Sequence, residues 1–318
     1  MNEQLPPIDL SVMIAGVRLQ NPVIAASGTF GYGREYSGII DVSRLGGICT
    51  KGLTLHPKQG NNGIRIWETP AGLLNSIGLE NPGIPAFIEN ELPFLRKLGP
   101  AVIANLSGST VEEYAKGAAL LNASSVDMVE LNISCPNVKS GGMNFGLDPS
   151  TAAEVTSSVR RALNAKPLMV KLSPNAPDLI AVAMACVSAG ADVLSLVNTF
   201  RAMAIDIHSR KPVFDNTSAG LSGPAIKPIA LRMVWDLCRE LERGKKNGSF
   251  GASAPVPVVG MGGIACADDA LEFLMAGACA VQIGCATFSH PSALIETMEG
   301  IELYMRNNNI SSVAGIRI

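Results

Sequence analysis

The sequence predicts an α/β fold, a (β/α)8 TIM barrel formed by residues 1–318 as one domain. Three observations point there: eight short apolar runs, helix-like segments between them, and glycines placed where those helices end. Before the first barrel strand, residues 10–19 read as two short strands around Ala15-Gly16, a hairpin able to plug the N-terminal end of a barrel. The apolar runs follow at 23–26, 47–50, 101–104, 127–131, 168–170, 193–197, 256–259 and 280–283. Segments with helical spacing alternate with them at 34–40, 84–97, 110–122, 151–164, 178–189, 225–243, 267–276 and 291–306. Alternation of this kind means parallel strands joined by crossover helices, and eight repeats close a barrel; an open doubly wound sheet is the competing arrangement. SAGAD (188–192) and MAGAC (275–279) put Gly where a left-handed helix cap is needed before the next strand.

Three connections, 54–83, 136–149 and 200–224, are long for βα loops and rich in Gly, Asn, Pro and Ser, so they are expected at the C-terminal face as functional loops. The hydrophilic stretch 243–255, with GKKNGSFGAS, reads as an exposed insertion without chemistry. Residues 179–197 are apolar over a length that could span a bilayer. Asp192 and the Ala189-Gly190-Ala191 break favour a buried helix, a cap and a buried strand instead.

With 47% hydrophobic and 16% charged residues, a chain of 318 residues can bury a full core. A formal charge of −2 and the lack of a Lys/Arg-rich block argue against a nucleic-acid partner. MNEQLPPIDLSVM has neither the basic nor the apolar region of a signal peptide, so a cytoplasmic protein without a membrane segment is expected. The seven cysteines are scattered and never form CxxC, which suggests no disulfide framework, no iron–sulfur or zinc site, and no other metal.

In a barrel of this type the active site lies at the C-terminal strand ends. The residues there are Ser27, Lys51, Asn105, Asn132, Lys171, Asn198 with Thr199, Gly262 with Gly263, and Gly284. Any one of them alone is more often a turn residue, but the set is polar or glycine at every strand. Two lysines meeting at one mouth would repel unless an anion or an electron-rich ring lay between them, so an anionic ligand is expected. The glycine clusters VVGMGGI (258–264) and VQIGC (281–285) follow strands seven and eight, where exposed backbone N–H groups can hold a phosphate; a phosphorylated cofactor follows. Cys135, in NISCPN (132–137) and ahead of the Gly-rich KSGGMNFG (139–146), is placed to work over the mouth rather than to fill a core.

NPVIAASGTFGYG (21–33), TKG (50–52), NSIGLENPG (75–83), NISCPN, VNT (197–199), GLSGPAIKP (220–228), GMGGI and IGC resemble, in order and over nearly the whole chain, the class 1 dihydroorotate dehydrogenases. The resemblance implies oxidation of (S)-dihydroorotate to orotate in pyrimidine biosynthesis on FMN. It places Ser27, Lys51, Gly52, Asn105, Asn132, Lys171, Val197, Gly223, Gly262, Gly263, Gly284 and Cys285 around the flavin. It assigns substrate to Lys51, Asn75, Ser76, Ile77, Gly78, Leu79, Asn132, Asn198 and Thr199, with Cys135 as the base that removes the C5 proton. By the same resemblance Lys171 would face the flavin N1 and C2 carbonyl, and Lys51 the substrate carboxylate.

The cysteine separates class 1 from the membrane-associated class, which uses serine. Residues 139–146 are similar to the NAD-linked subclass, implying a partner subunit with FAD and a 2Fe-2S cluster in a heterotetramer of two catalytic and two electron-transfer subunits. The fumarate-dependent subclass, another FMN barrel reductase acting on a dihydropyrimidine or on tRNA dihydrouridine, and a non-catalytic scaffold are the alternatives. Cys285 stands where the family usually has Thr, Ala219 where it often has Gly, and Glu80 where Gln is common.

Overall fold

A computed structural model describes residues 8–133, 145–164, 166–246 and 256–318. Eight parallel strands close a barrel: β1 (Val23–Ala25), β2 (Gly47–Cys49), β3 (Ala101–Leu106), β4 (Met128–Asn132), β5 (Leu168–Lys171), β6 (Val193–Leu196), β7 (Val258–Met261) and β8 (Ala280–Ile283). Each strand pairs with its neighbour in sequence, and β8 returns to β1 through Val281 opposite Val23. The strands are continuous apolar runs because helices cover the outside while side chains fill the inside, so neither face meets water. One apolar cluster runs from Val12 to Ile316 through barrel and helices.

The hairpin is present as Val12–Ile14 paired with Val17–Leu19, with Ile14 and Leu19 buried. Helices Val111–Asn122, Pro149–Leu163, Leu179–Ser188, Lys227–Lys246, Ala267–Met275 and Ala293–Asn307 fall on six of the expected segments. Local chemistry starts several of them: Thr110, Asp148 and Asp178 each accept a backbone N–H in the first turn. The apolar stretch from residue 179 is the ten-residue helix Leu179–Ser188 followed by β6. Among the described residues no helix is long and apolar enough to cross a membrane.

Two helical expectations change. Residues 34–40 form turns rather than a helix: the Ser37 and Ile40 N–H groups close single turns on Gly33 and Tyr36, and then Asp41 caps the 3-10 turn Val42–Arg44 with its own carboxylate. Seven residues cannot propagate a helix against such a competing local bond. The helix expected at 84–97 is broken by a π turn, Phe87–Glu91, before Leu92–Leu98. Pro93 has no N–H to offer the Glu89 carbonyl, so the ladder shifts register and the Leu92 N–H reaches Phe87 instead.

The long connections carry structure that the sequence reading treated as loop. Phe200–Ala202, Ala219–Ser222, Gly72–Asn75 and Ile66–Thr69 form a four-stranded antiparallel sheet over the barrel mouth, and Ile205–Asp206 pairs with Lys211–Pro212 beside it. These strands are two to four residues long and lack a clean alternation, so periodicity could not find them. A small core of Leu74, Val213, Phe214 and Ala219 supports the mouth sheet. Of the 136–149 connection only residues from 145 onward are described; Phe145 there packs edge-on against Tyr114. The insertion expected at 243–255 begins as helix through Lys246, and its remainder lies outside the described residues.

Candidate active site

The strand ends surround a cavity of about 410 Å³. All twelve residues expected around a flavin line it: Ser27, Lys51, Gly52, Asn105, Asn132, Lys171, Val197, Gly223, Gly262, Gly263, Gly284 and Cys285. Of those expected at substrate, Asn75, Ile77, Gly78, Leu79, Asn198 and Thr199 join Lys51 and Asn132 on the wall. Ser76 does not. Its side chain is buried, and its hydroxyl accepts from Asn61 and Asn216, which braces the loop. Cys135 lies outside the described residues.

The glycine end of the cavity is built for close approach of a backbone. At Gly262 and Gly263 φ is +122° and +77°, and a Cβ on either would lie under 3.0 Å from Ala230 or from the Gly223 carbonyl oxygen. Gly223 leads through Pro224–Ile226 into the helix Lys227–Lys246, whose N-terminal end favours an anion at this side. Lys227 is engaged elsewhere: its ammonium donates to Asp269 at 2.7 Å and to Glu272 at 3.0 Å, and these bonds raise its pKa. An anion here would therefore rest on backbone N–H groups. Cys285 is held by Ser222, and burial pushes its thiol above the ordinary value.

Beneath the cavity one layer of the barrel interior is polar. Cys49 on β2, Glu130 on β4, Ser195 on β6 and Gln282 on β8 contribute one side chain from each alternate strand, the arrangement that normally holds four apolar residues. The Glu130 carboxylate is completely buried. Its Oε1 accepts from Ser195 Oγ at 2.9 Å and Gln282 Nε2 at 2.8 Å; its Oε2 accepts from Cys49 Sγ at 3.1 Å and Asn105 Nδ2 at 2.6 Å. Lys171 Nζ stands 3.9 Å from Oε2 and donates to Ser27 Oγ at 3.3 Å.

Burying a lone carboxylate costs several kcal/mol, while each hydrogen bond to a charged group returns roughly 1.5–3 kcal/mol. Desolvation raises the Glu130 pKa, but Lys171 and the donors Cys49, Gln282 and Asn105 outweigh it, and the carboxyl is held below its usual range. The Cys49 thiol is pushed well up, by burial first and then by Glu130.

From Asn105 a second line of bonds crosses the mouth. Asn132 Nδ2 lies 3.3 Å from Asn105 Oδ1, Asn198 Nδ2 lies 3.4 Å from Asn132 Oδ1, and Asn198 Oδ1 accepts the Thr199 N–H at 2.8 Å. The Tyr114 hydroxyl donates to the Asn132 carbonyl at 2.8 Å and fixes the end of β4. The sequence reading missed Glu130 and its three companions in the layer. A signal was available: a carboxylate inside an apolar strand run must find donors or lose its charge.

A closed parallel barrel whose C-terminal mouth combines two lysines, four asparagines and a glycine-backed anion end is the framework of a barrel enzyme acting on a small anionic molecule. The family model for dihydroorotate dehydrogenase matches residues 9–305. The chain belongs to the dihydroorotate dehydrogenase family. It is 53% identical over 310 residues, 98% of this chain and 99% of the relative, to a protein of Petrotoga mobilis named dihydroorotate dehydrogenase B (NAD(+)), catalytic subunit. Proteins of the same name from Geotalea daltonii and Thermoanaerobacter pseudethanolicus are 54% and 51% identical, each over 96% of this chain and over 96% and 97% of the relative.

Proposed function

We propose that this chain oxidises (S)-dihydroorotate to orotate in pyrimidine biosynthesis, as the FMN-carrying catalytic subunit of an NAD-linked enzyme. The supporting observation is the convergence of Lys51, Lys171 and the carboxamides of Asn105, Asn132 and Asn198 on one cavity. Cations answer a carboxylate, and carboxamides can both donate to and accept from the amide edge of a pyrimidine without adding charge.

The residues fit FMN. The cavity wall combines closely approached glycines, Gly223, Gly262 and Gly263, suited to a phosphate, with the nearly buried ammonium of Lys171. When bound there, FMN supplies the acceptor for the hydride from substrate C6. Ser27, Gly52, Val197, Gly223, Gly262, Gly263, Gly284 and Cys285 would hold it, and Lys171 would place positive charge where the reduced ring is negative. Lys51 would pair with the substrate carboxylate. Asn75, Asn132, Asn198 and Thr199 would orient the ring, with Ile77, Gly78 and Leu79 closing the wall over it.

Cys135 would take the C5 proton. Because a free thiol titrates near ~8.5, the base form grows as pH rises. Anaerobic reduction by dihydroorotate should therefore quicken from pH 6.5 to 9, and Cys135→Ala should slow it on the order of 100-fold or more. A flat profile or a fast alanine variant would remove the thiol from this role.

Described residues hold no group of three or more His, Cys, Asp or Glu able to bind a metal. The relatives' name, catalytic subunit of an NAD(+) enzyme, supports assigning the route to NAD to a partner subunit, here proposed to carry FAD and a 2Fe-2S cluster in a cytoplasmic assembly of two subunits of each kind. The deciding assay supplies the purified chain, without air, with dihydroorotate and fumarate as the only acceptor. One rapid bleaching of the flavin band that then stalls supports the partner-dependent enzyme. Sustained orotate formation would instead make it a fumarate-dependent enzyme, and no bleaching would exclude dihydroorotate as substrate.

A further inference from the structure

Glu130 is not itself part of the cavity wall, yet three of the polar groups nearest to it, Asn105, Lys171 and Gln282, line the cavity. We infer that Glu130 is a positioning residue: its buried carboxylate sets the amide orientation of Asn105 and, through it, of Asn132. The mouth thereby presents one fixed order of donors and acceptors to the pyrimidine edge. The inference rests on the substrate reading above.

The argument is one of permitted polarity. An ionised carboxylate only accepts, so Asn105 must turn its Nδ2 toward Glu130, at 2.6 Å, and its Oδ1 away. That oxygen can be met only by a donor, which turns Asn132 Nδ2 toward it and leaves Asn132 Oδ1 facing Asn198 Nδ2. The far end agrees: the Thr199 backbone N–H only donates, and it fixes Asn198 Oδ1. Nothing in an asparagine alone chooses between its two flips, and these two unambiguous ends both favour the same choice along the line.

A neutral Glu130 would lose this property. A protonated carboxyl carries a donor of its own, and one of Ser195, Gln282, Cys49 and Asn105 would lose its acceptor. The structure keeps the charge in place with those four donors and with Lys171 at 3.9 Å. The groups facing Glu130 are Cys49 on β2, Asn105 on β3, Lys171 on β5, Ser195 on β6 and Gln282 on β8, with Met169 its register partner on β5. Of these the Cys49 thiol is raised well above neutrality. Titration of Glu130 itself is then what a profile between pH 5 and 7.5 would report.

The test measures orotate binding to the FMN-loaded protein by calorimetry from pH 5 to 7.5. Wild type should bind with an affinity that is flat in this window. Glu130→Gln, which can donate as well as accept, should raise the orotate Kd at least tenfold at pH 7. The double variant Cys49→Ala/Ser195→Ala keeps the carboxylate but removes two of its donors, both away from the cavity wall. Its Glu130 pKa should climb, and orotate binding should weaken at least threefold between pH 7.5 and pH 5. A merely structural role for Glu130 would lower the melting temperature without producing that acid limb. If Glu130→Gln does not fold, the double variant decides. Glu130→Gln within twofold of wild type, or a flat profile in the double variant, would overturn the inference; wild type that fails to bind orotate would instead sink the substrate reading.

Discussion

Gly263 has φ +77°, and a Cβ built there would stand 2.8 Å from both the Gly223 carbonyl oxygen and the Lys227 backbone nitrogen. An alanine would carry left-handed strain of roughly 1–2 kcal/mol and would also push apart the two segments that form the anion end. Gly263→Ala should therefore weaken FMN binding about tenfold or more, read by quenching of flavin fluorescence in a titration of the apoprotein. The buried thiols make a different prediction. Burial raises Cys186 and Cys238 each to about 11, with a Thr156 hydrogen bond and the Arg317 charge only partly opposing it. An unfolded thiol titrates near ~8.5, so above that pH the unfolded chain releases protons that the folded one keeps. This contribution to stability is whole below about pH 8.5 and is lost as pH rises toward 11. The urea midpoint should fall between pH 8 and 10.5, and should fall less in Cys186→Ala/Cys238→Ala.

At the level of elements, the mouth sheet joins two segments far apart in sequence and presses its glycines against site residues. A Cβ on Gly220 would lie 2.2 Å from Thr199 Oγ1 and 3.3 Å from Asn75 Nδ2. Gly220→Ala should raise the KM for dihydroorotate about tenfold while far-UV circular dichroism stays unchanged, because the barrel strands are untouched. The sheet also marks the limit of what the sequence made legible. The barrel strands could be read because each is a continuous apolar run with a polar residue or glycine behind it, from Ala26-Ser27 to Ile283-Gly284. Their ends supplied the polar floor of the cavity, Ser27, Lys51, Asn105, Asn132, Lys171 and Asn198, for the same reason. The mouth strands could not be read, since Gly72–Asn75 and Ala219–Ser222 gain their order from pairing across some 145 residues rather than from a local pattern. The side-chain partners of Ser76 were hidden for the same reason: motif position put it beside substrate, and tertiary pairing turns its hydroxyl to Asn61 and Asn216.

The molecule as a whole divides its apolar burial unequally. The main cluster includes barrel, hairpin and helices, while the mouth sheet rests on four buried residues of its own. Local opening is easiest where few apolar contacts must be broken. Amides of 66–75 and 219–222 should then exchange with deuterium well before those of β3 and β4, and orotate should slow the mouth amides selectively, since a ligand bound only to the closed form stabilises it by mass action. The interior layer of Cys49, Glu130, Ser195 and Gln282 follows another logic. Removing the carboxylate strands its donors, and removing a donor weakens the hold on the charge. Descendants of this chain would have to exchange that quartet nearly all at once for aliphatic side chains, crossing intermediates poorer than either end. The four positions should drift together or not at all.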